Sequence, residues 1–109
     1  MVAIKRFDVC VVNLDPTIGS EIKKTRPCVV ISPDSMNCSR LRTIIVAPMT
    51  STVWENFPTR IDVKFQQKKG QIALDQIRTI DRKRLVKKVG NLPKSVCDEV
   101  LSTLQVLFS

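Results

Sequence analysis

The sequence predicts a mostly β chain (α+β), a small β-barrel with one C-terminal α-helix. Short apolar runs bounded by Pro, Gly and Asp recur from residue 7 to residue 89, which is typical of consecutive short strands. After Pro93 the apolar residues follow steps of three and four, which is the period of an amphipathic helix. No repeat or linker is visible in the 109 residues, so we expect one domain over 1–109.

Three strands are predicted in the first half of the chain, over residues 7–14, 28–32 and 42–47, with a short helical turn at 33–37. The first strand ends in a loop over 15–25, which begins with Asp15-Pro16 and contains Gly19. Pro27 opens the second strand, whose continuous apolar run is typical of a strand that is covered on both faces. Pro48 ends the third strand.

The second half predicts strands over 59–65, 71–80 and 86–89, a turn at 66–70 and the final helix. The alternation over 59–65 directs Ile61, Val63 and Phe65 inward. The strand over 71–80 is expected to bend near Gln76. Asp81 is the expected N-cap of a single helical turn over 81–85. The helix carries its apolar residues at 96, 97, 100, 101, 104, 107 and 108.

Positive charge is concentrated in one part of the chain. The formal net charge is +8, and residues 60–94 contain 11 Lys or Arg against three acidic residues. Such a stretch favours a basic face that attracts a polyanion such as a nucleic acid. The alternative is a solvated surface that keeps the protein soluble.

Several kinds of site are disfavoured by composition. The chain has no His, which is the usual general base at neutral pH and the commonest zinc ligand. None of the four Cys forms a Cys-x-x-Cys pair, so neither a metal site nor a cofactor is expected. Cys10, Cys28 and Cys97 lie in apolar runs and are expected in the core as reduced thiols of a cytoplasmic protein. No signal peptide or membrane span is predicted.

Four segments carry a resemblance to a known family: Asp8-Val9 through Asn13-Leu14-Asp15-Pro16-Thr17-Ile18-Gly19-Ser20-Glu21, then Lys24-Thr25-Arg26-Pro27, then Val46-Ala47-Pro48-Met49-Thr50-Ser51, and last Leu74 to Leu85. In this order and spacing the chain resembles the MazF/PemK (Kid-like) toxin endoribonucleases over essentially its whole length. The resemblance implies an SH3-like barrel that forms a homodimer. It also implies metal-independent cleavage of single-stranded RNA and a cognate antitoxin that blocks the site.

The resemblance assigns three catalytic candidates. RNA cleavage by its own 2′-hydroxyl needs a base, stabilisation of the charged phosphorane, and protonation of the leaving 5′-oxygen. Arg26 matches the family's arginine and would stabilise charge with its fork of donors. Thr50 would donate to a phosphate oxygen, and Glu21 is the candidate base. The alternatives are an ordinary surface Arg, a turn Thr, and an ion pair of Glu21 with Lys23, Lys24 or Arg26.

The resemblance places Asp75 and Gln76 in the segment that lines the RNA groove. The residues themselves add four RNA-binding candidates. Arg78 alternates with Gln76 and would bind phosphate, and Ser51 would be a second donor beside Thr50. Gly19 and Ser20 would bring backbone N–H groups to RNA or cover the site, although Gly19 equally fits a plain turn. Gln76 is the choice for reading a base, since its amide offers both a donor and an acceptor. A polar barrel surface is the alternative for Gln76 and Arg78. Trp54 and Phe57 would stack a base or meet the antitoxin, although a cap on the barrel end is the preferred interpretation.

The sequence departs from the family pattern at two positions, and two other functions remain as alternatives. Phe7 stands where the family usually has Gly, and Cys10 where it often has an aromatic residue. A CcdB-like gyrase poison would share the fold, but it should end in an aromatic, glycine-bearing tail, which Leu104 to Ser109 is not. A non-enzymatic RNA-binding barrel would use the same basic stretch without cleavage.

Overall fold

Seven strands and two α-helices form the part of the chain that the structure, a computed structural model, describes, residues 3–109. In chain order they are β1 (Asp8–Asn13), β2 (Thr25–Val30), α1 (Asp34–Asn37), β3 (Thr43–Thr50), β4 (Arg60–Phe65), β5 (Lys68–Ala73), β6 (Arg78–Asp81), β7 (Leu85–Asn91) and α2 (Lys94–Leu107). Short 3₁₀ turns cover Leu74–Gln76 and Arg82–Arg84. The predicted mostly β chain with one closing helix is confirmed.

The strands form one antiparallel, strongly curved sheet in the order β4-β5-β3-β2-β1-β7, and β6 also pairs with β3. Strand β3 is central because it changes partner along its length. Its residues 43–46 pair with β6, residues 46–48 pair with β2, and Met49 and Thr50 pair with β5. Strand β3 therefore connects two parts of the sheet, one with β6, β2, β1 and β7 and the other with β5 and β4. The end of β3 lies where these two parts meet.

Both faces of this sheet are buried, because alternate residues of the central strands enter two different core clusters. Val9, Val29 and Ala47 face a cluster that α2 covers with the fully buried Val100. Their neighbours on the opposite face form a second cluster with Ile4, Cys10, Val12, Leu14, Cys28, Val30, Ile44, Val46 and Ile80. The continuous apolar run of β2 thus has the predicted cause, a strand covered on both faces.

The two prolines do not bound their strands as predicted. Pro48 lies inside β3, opposite Cys28, at the point where β3 passes from β2 to β5. Pro27 lies inside β2, opposite Val11 of β1, one residue before the ladder to β3 begins. Proline lacks an N–H, so it is tolerated where a strand is between partners or has only one partner.

The predicted turn at 66–70 and the strand over 71–80 are both wrong in extent. The turn is only Gln66-Gln67, both with positive φ (51° and 65°), as a two-residue hairpin requires. Residues 68–70 belong to β5. The segment over 71–80 is not one bent strand but β5, a 3₁₀ turn and β6, which pair with different parts of β3. Local alternation cannot reveal that change of partner.

Three smaller features bear on the predictions. Asp81 accepts a hydrogen bond from the Lys83 N–H at 2.8 Å, as expected of an N-cap. Phe7 has a φ of 71°, in the left-handed region that glycine prefers, which gives a physical reason for the family's usual Gly at this place. Within residues 3–109, neither helix combines the length and the apolar character that a membrane crossing requires.

Candidate active site

Arg26 and Thr50 lie just beyond the end of the ladder that joins β2 to β3. In the ladder between these strands Cys28 lies opposite Pro48, and one step further along the chain Val29 lies opposite Ala47. The ladder ends at the Cys28–Pro48 pair, and Thr50 pairs with Gln71 of β5. Arg26 is two residues from Cys28 and Thr50 is two residues from Pro48, so the alternation along each strand assigns both side chains to the face of Cys28. Both residues are half-buried.

Arg78 joins this pair from β6. It lies opposite Val46, on the same face of β3 as Thr50. The Cys28 thiol is close enough to sense both arginines: burial raises its pKa to about 12, and the positive charges of Arg26 and Arg78 oppose that rise. Two guanidinium groups and one hydroxyl thus share one edge of the sheet. Such a group of donors is suited to a phosphate.

The Arg26 guanidinium is oriented by the backbone. Its Nε donates to the Lys23 carbonyl oxygen at 2.7 Å. The terminal nitrogens are left to bind a ligand, and no carboxylate among the described residues forms an ion pair with Arg26. An arginine held at Nε presents its Nη groups in a fixed direction, as charge stabilisation in a transition state requires.

The loop between β1 and β2, residues 14–24, is called here the first loop, and it carries Gly19, Ser20 and Glu21. The Glu21 carboxylate accepts a hydrogen bond from the Ile18 N–H at 2.6 Å, and the Glu21 N–H donates back to the Ile18 carbonyl. Gly19 between them has a φ of 57°, which fits its glycine. Within the described chain, no ion pair joins Glu21 to Lys23, Lys24 or Arg26, so that alternative for Glu21 is wrong. Its role as a base stays a prediction.

Side chains from the far end of the chain anchor the first loop. Arg78 donates to the Leu14 carbonyl at 3.0 Å, and Arg84 donates to the carbonyl oxygens of Asn13 and Asp15. The Gln76 amide reaches the other side of the loop, where it contacts residues 20–22. No sequence pattern marks Arg84 as an anchor, because an arginine in a basic run looks the same whether it contacts solvent or a carbonyl.

Asp75 has a different environment from its neighbour Gln76. Its carboxylate receives two hydrogen bonds from the Arg60 guanidinium, at 2.7 and 3.1 Å, and a third from the Thr59 hydroxyl at 3.1 Å. Burial alone would raise the pKa of Asp75, but these hydrogen bonds outweigh it and the pKa lies below its usual value. The Arg60 guanidinium also lies 5.9 Å from the centre of the Phe57 ring. Asp75 therefore joins β4 to the turn after β5, and its predicted contact with RNA stays untested.

The end of β3 is held in place by β5. A Cβ on Gly70 would lie 2.5 Å from the Thr50 carbonyl oxygen, so only glycine allows the two backbones to approach this closely. The Thr50 hydroxyl accepts a hydrogen bond from the Thr52 N–H at 3.1 Å, and its own proton stays available for a ligand. Ser51 follows at the surface.

The loop after Ser51 carries an exposed aromatic pair. Trp54 and Phe57 are 55% and 45% exposed, and their rings meet edge to face at 6.1 Å. Neither ring belongs to the two core clusters, and the predicted cap on the barrel end stays a prediction. The buried Gln71 fixes this loop by hydrogen bonds to the N–H and the carbonyl of Trp54, each at 3.0 Å. Sequence analysis missed Gln71 and Arg60, since polar residues in strands usually face solvent.

Part of the basic stretch lines a groove. Arg82, Lys83, Lys87 and Lys88 line this groove of about 830 Å³ together with Leu41 and Val86. Arg82 donates to carbonyls of residues 37 and 41, and Lys88 pairs with the buried Asp8 at 3.3 Å. The groove extends from Asp81, opposite the start of β3, to β7, which pairs with β1. Long-range attraction remains the role expected of these charges.

The thiols and acids of the described residues do not form a metal site. No three His, Cys, Asp or Glu side chains lie together there so as to hold an ion. All four cysteines are free; Cys10 and Cys28 are buried, and Cys97 is half-buried as a small core residue. Burial raises the pKa of the Cys10 thiol to about 11, so neither buried cysteine is a nucleophile at neutral pH.

Similarity to known proteins extends over nearly the whole chain. Residues 5–108 match the model of the PemK-like, MazF-like toxins of type II toxin–antitoxin systems. The chain is 35% identical to the endoribonuclease EndoA of Bacillus subtilis over 108 residues, which cover 94% of this chain and 92% of that protein. It is 36% identical to the endoribonuclease MazF of Staphylococcus epidermidis, over 94% of this chain and 89% of that one.

Solved structures show the same fold. The crystal structure of MazF from Deinococcus radiodurans superposes with a TM-score of 0.84 at 24% identity, over 99% of this chain and 98% of that one. The MazE–MazF complex of the same organism matches with a TM-score of 0.79 at 23% identity, over 99% and 97% of the two chains. The chain belongs to the PemK-like, MazF-like toxins of type II toxin–antitoxin systems.

Proposed function

We propose that this chain is the toxin of a type II toxin–antitoxin pair and an endoribonuclease that cleaves single-stranded RNA at short sequences without a metal ion. The observation that carries the proposal is that Arg26 and Thr50 follow directly on the Cys28–Pro48 pair of β2 and β3, with Arg78 opposite Val46 on the same face. The relatives named as endoribonucleases support the same activity.

The proposed reaction is attack of a ribose 2′-oxygen on the adjacent phosphorus. A P–O2′ bond forms, the P–O5′ bond breaks, and the 2′-proton passes to a base while the 5′-oxygen gains a proton. Arg26, held at Nε by the Lys23 carbonyl, stabilises the added negative charge with its Nη groups. The Thr50 hydroxyl donates to a phosphate oxygen, and Glu21 is the candidate base. The products are a 2′,3′-cyclic phosphate and a 5′-hydroxyl. Attack of water on the cyclic phosphate, with cleavage of the P–O2′ bond, converts it to a 3′-phosphate.

RNA binding is assigned to the surroundings of this centre. Gly19 and Ser20 offer exposed backbone groups on the first loop, and Ser51 follows the catalytic threonine. Arg78 adds a positive charge beside Arg26, although one of its nitrogens already holds the Leu14 carbonyl. The basic groove residues raise the local RNA concentration through long-range attraction, which weakens as salt increases.

We also propose two protein partners. One is a cognate antitoxin, supported by family membership and by the MazE–MazF complex from D. radiodurans. The other is a second copy of this chain. Large apolar side chains at the end of α2 support an interface, since Val106 is 76% and Phe108 70% exposed. The proposed place of action is the cytoplasm, where RNA is available and thiols stay reduced.

The decisive experiment is digestion of a long mixed-sequence RNA by purified protein in EDTA, with the ends mapped by sequencing. We expect cuts at one short motif with 5′-hydroxyl ends. A substrate with a 2′-deoxy sugar at the cut should stay intact. Cleavage of the 2′-deoxy substrate would contradict the mechanism, and activity that needs added Mg²⁺ would contradict metal independence. Intact RNA that is nevertheless bound would favour the non-enzymatic barrel, and inhibition of DNA supercoiling would favour the gyrase poison.

A further inference from the structure

Gln76 uses both polar atoms of its side chain on the first loop. Its Oε1 accepts a hydrogen bond from the Ile22 N–H at 2.6 Å, and its Nε2 donates to the Ser20 carbonyl at 3.3 Å. These contacts join residues 54 and 56 positions apart in the sequence. Gln76 ends the 3₁₀ turn after β5 and is half-buried, so its amide is presented from a fixed element.

Gln76 is a separate anchor from the arginines that hold the first loop. Arg78 and Arg84 bond to carbonyls of residues 13–15, at the beginning of the loop. Among the side-chain hydrogen bonds of the described residues, those of Gln76 alone tie residues 20–22 to another part of the fold. Lys24 is held separately, since its N–H donates to the Asp15 carboxylate and its carbonyl accepts from the Leu14 N–H, each at 3.1 Å. Removal of the Gln76 amide should therefore free residues 20–22 and leave both ends of the loop in place.

The Lys23 carbonyl, which orients Arg26, lies between two anchors, namely the Gln76 contact with Ile22 and the Lys24 N–H bond to Asp15. Lys23 directly follows Ile22, and its carbonyl holds the Arg26 Nε at 2.7 Å. A chain of short contacts thus runs from the Gln76 amide through the Ile22–Lys23 backbone to the guanidinium. Glu21, which lies between the two atoms that Gln76 contacts, is held by the same anchor.

We propose that Gln76 is a positioning residue, which holds residues 20–22 so that the Lys23 carbonyl directs the Arg26 guanidinium at the scissile phosphate. This inference rests on the proposed ribonuclease activity. It differs from base recognition by Gln76, because a positioning residue changes the rate at every site, whereas a base reader changes which sites are cut. The hydrogen bonds exist before RNA binds, so the effect on the loop is measurable in the free protein.

The test uses Gln76→Met, which keeps length and removes both hydrogen bonds, and Gln76→Glu, which keeps the acceptor for the Ile22 N–H. Gln105→Met is the control, since Gln105 is exposed on α2. Amide hydrogen exchange of the free proteins reports on Ile22. Steady-state cleavage of a short RNA gives kcat and KM, and end mapping on a mixed RNA gives the motif.

For Gln76→Met we expect Ile22 to exchange about tenfold faster or more, and kcat to fall by about the same factor, with KM and the motif unchanged. Gln76→Glu should restore most of the Ile22 protection and part of kcat. In an Arg26→Ala background, Gln76→Met should cause little further loss, because both changes act on one group.

Three results would overturn the inference: unchanged exchange at Ile22, faster exchange with unchanged kcat, or a motif relaxed at one base with normal rates at the remaining sites. The last of these would restore base reading. If the wild-type protein cuts no RNA, the proposed function fails. The Ile22 exchange would then still measure the anchor by itself, so the two failures are distinguishable.

Discussion

Replacement of Asp75 by Asn separates a structural role of this residue from its predicted contact with RNA. The Asp75 carboxylate receives two hydrogen bonds from Arg60 and one from Thr59. Asparagine keeps the size and one acceptor but loses the charge. If the carboxylate mainly joins β4 to the turn after β5, the substitution should lower stability and leave RNA binding almost intact.

The expected magnitude follows from geometry and exposure. A shielded hydrogen bond to a charged group contributes about 1.5–3 kcal/mol, whereas an exposed ion pair contributes about 0–1 kcal/mol. The Arg60 side chain is 11% and that of Asp75 31% exposed, so the pair lies between these limits. We expect Asp75→Asn to lower the free energy of unfolding by about 1.5 kcal/mol. For a domain of this size, that corresponds to a decrease in Tm of about 6 °C.

The pH dependence has a definite sign. The pKa of Asp75 in the folded state lies below its ordinary value of 3.8. Its contribution to stability is therefore complete above that value and is lost as the pH falls through the lowered pKa of the folded state. The difference in Tm between wild type and Asp75→Asn should be constant from about pH 5 upward and should shrink only below about pH 4.

The assay is thermal unfolding across this pH range, with RNA affinity measured beside it by fluorescence anisotropy. A double-mutant cycle with Arg60→Gln should return a coupling of about 1 kcal/mol. Equal Tm values at pH 7, together with a large loss of RNA affinity, would refute the structural role and favour the contact with RNA.

Three further predictions concern the supports of the site. Gly70→Ala should lower Tm and reduce kcat at least tenfold, because the added Cβ would lie 2.5 Å from the Thr50 carbonyl oxygen and would push the end of β3 away. A normal kcat would show that β3 adjusts freely. At pH 8 a thiol reagent should modify Cys38 promptly and Cys10 and Cys28 only on unfolding, because burial raises the pKa values of those two to about 11 and about 12; prompt reaction of either thiol would contradict their burial. Gln71→Leu should free the Trp54 loop, which increased acrylamide quenching of the only tryptophan would reveal; Gln105→Leu is the control, and equal quenching would contradict the role of Gln71.

Sequence periodicity was sufficient for the helix and for most strands, but not for the strands that change partner along the chain. The alternation of β4 and the three-and-four steps of α2 are local, so both elements appear as predicted. The division of 71–80 into β5 and β6 depends on β3, which pairs with both strands. Pairing between distant segments produces no periodic pattern in the local sequence. Pro48 was predicted to end its strand for the same reason, because the change from β2 to β5 at this residue is not visible locally.

The candidate site divides in a similar way. Arg26 and Thr50 were found through the resemblance, and the register of β2 and β3 supplies a physical reason why both lie on one face of the sheet. The uses of Gln76 and Arg84 could not be predicted, because their partners are backbone atoms of the first loop. Every loop has backbone N–H and carbonyl groups, whatever its sequence. The loop residues that Gln76 and Arg84 contact therefore show no pattern by which they could be recognised.

The most direct test of the proposed centre is the single-turnover cleavage rate of Arg26→Ala in EDTA, measured together with its affinity for RNA. Arg40→Ala is the control, since Arg40 is exposed and follows α1, outside β2 and β3. We expect Arg26→Ala to lose at least about a hundredfold in rate, with RNA affinity within about threefold of wild type, because the guanidinium acts mainly on transition-state charge. A rate equal to that of Arg40→Ala would show that the chemistry lies elsewhere.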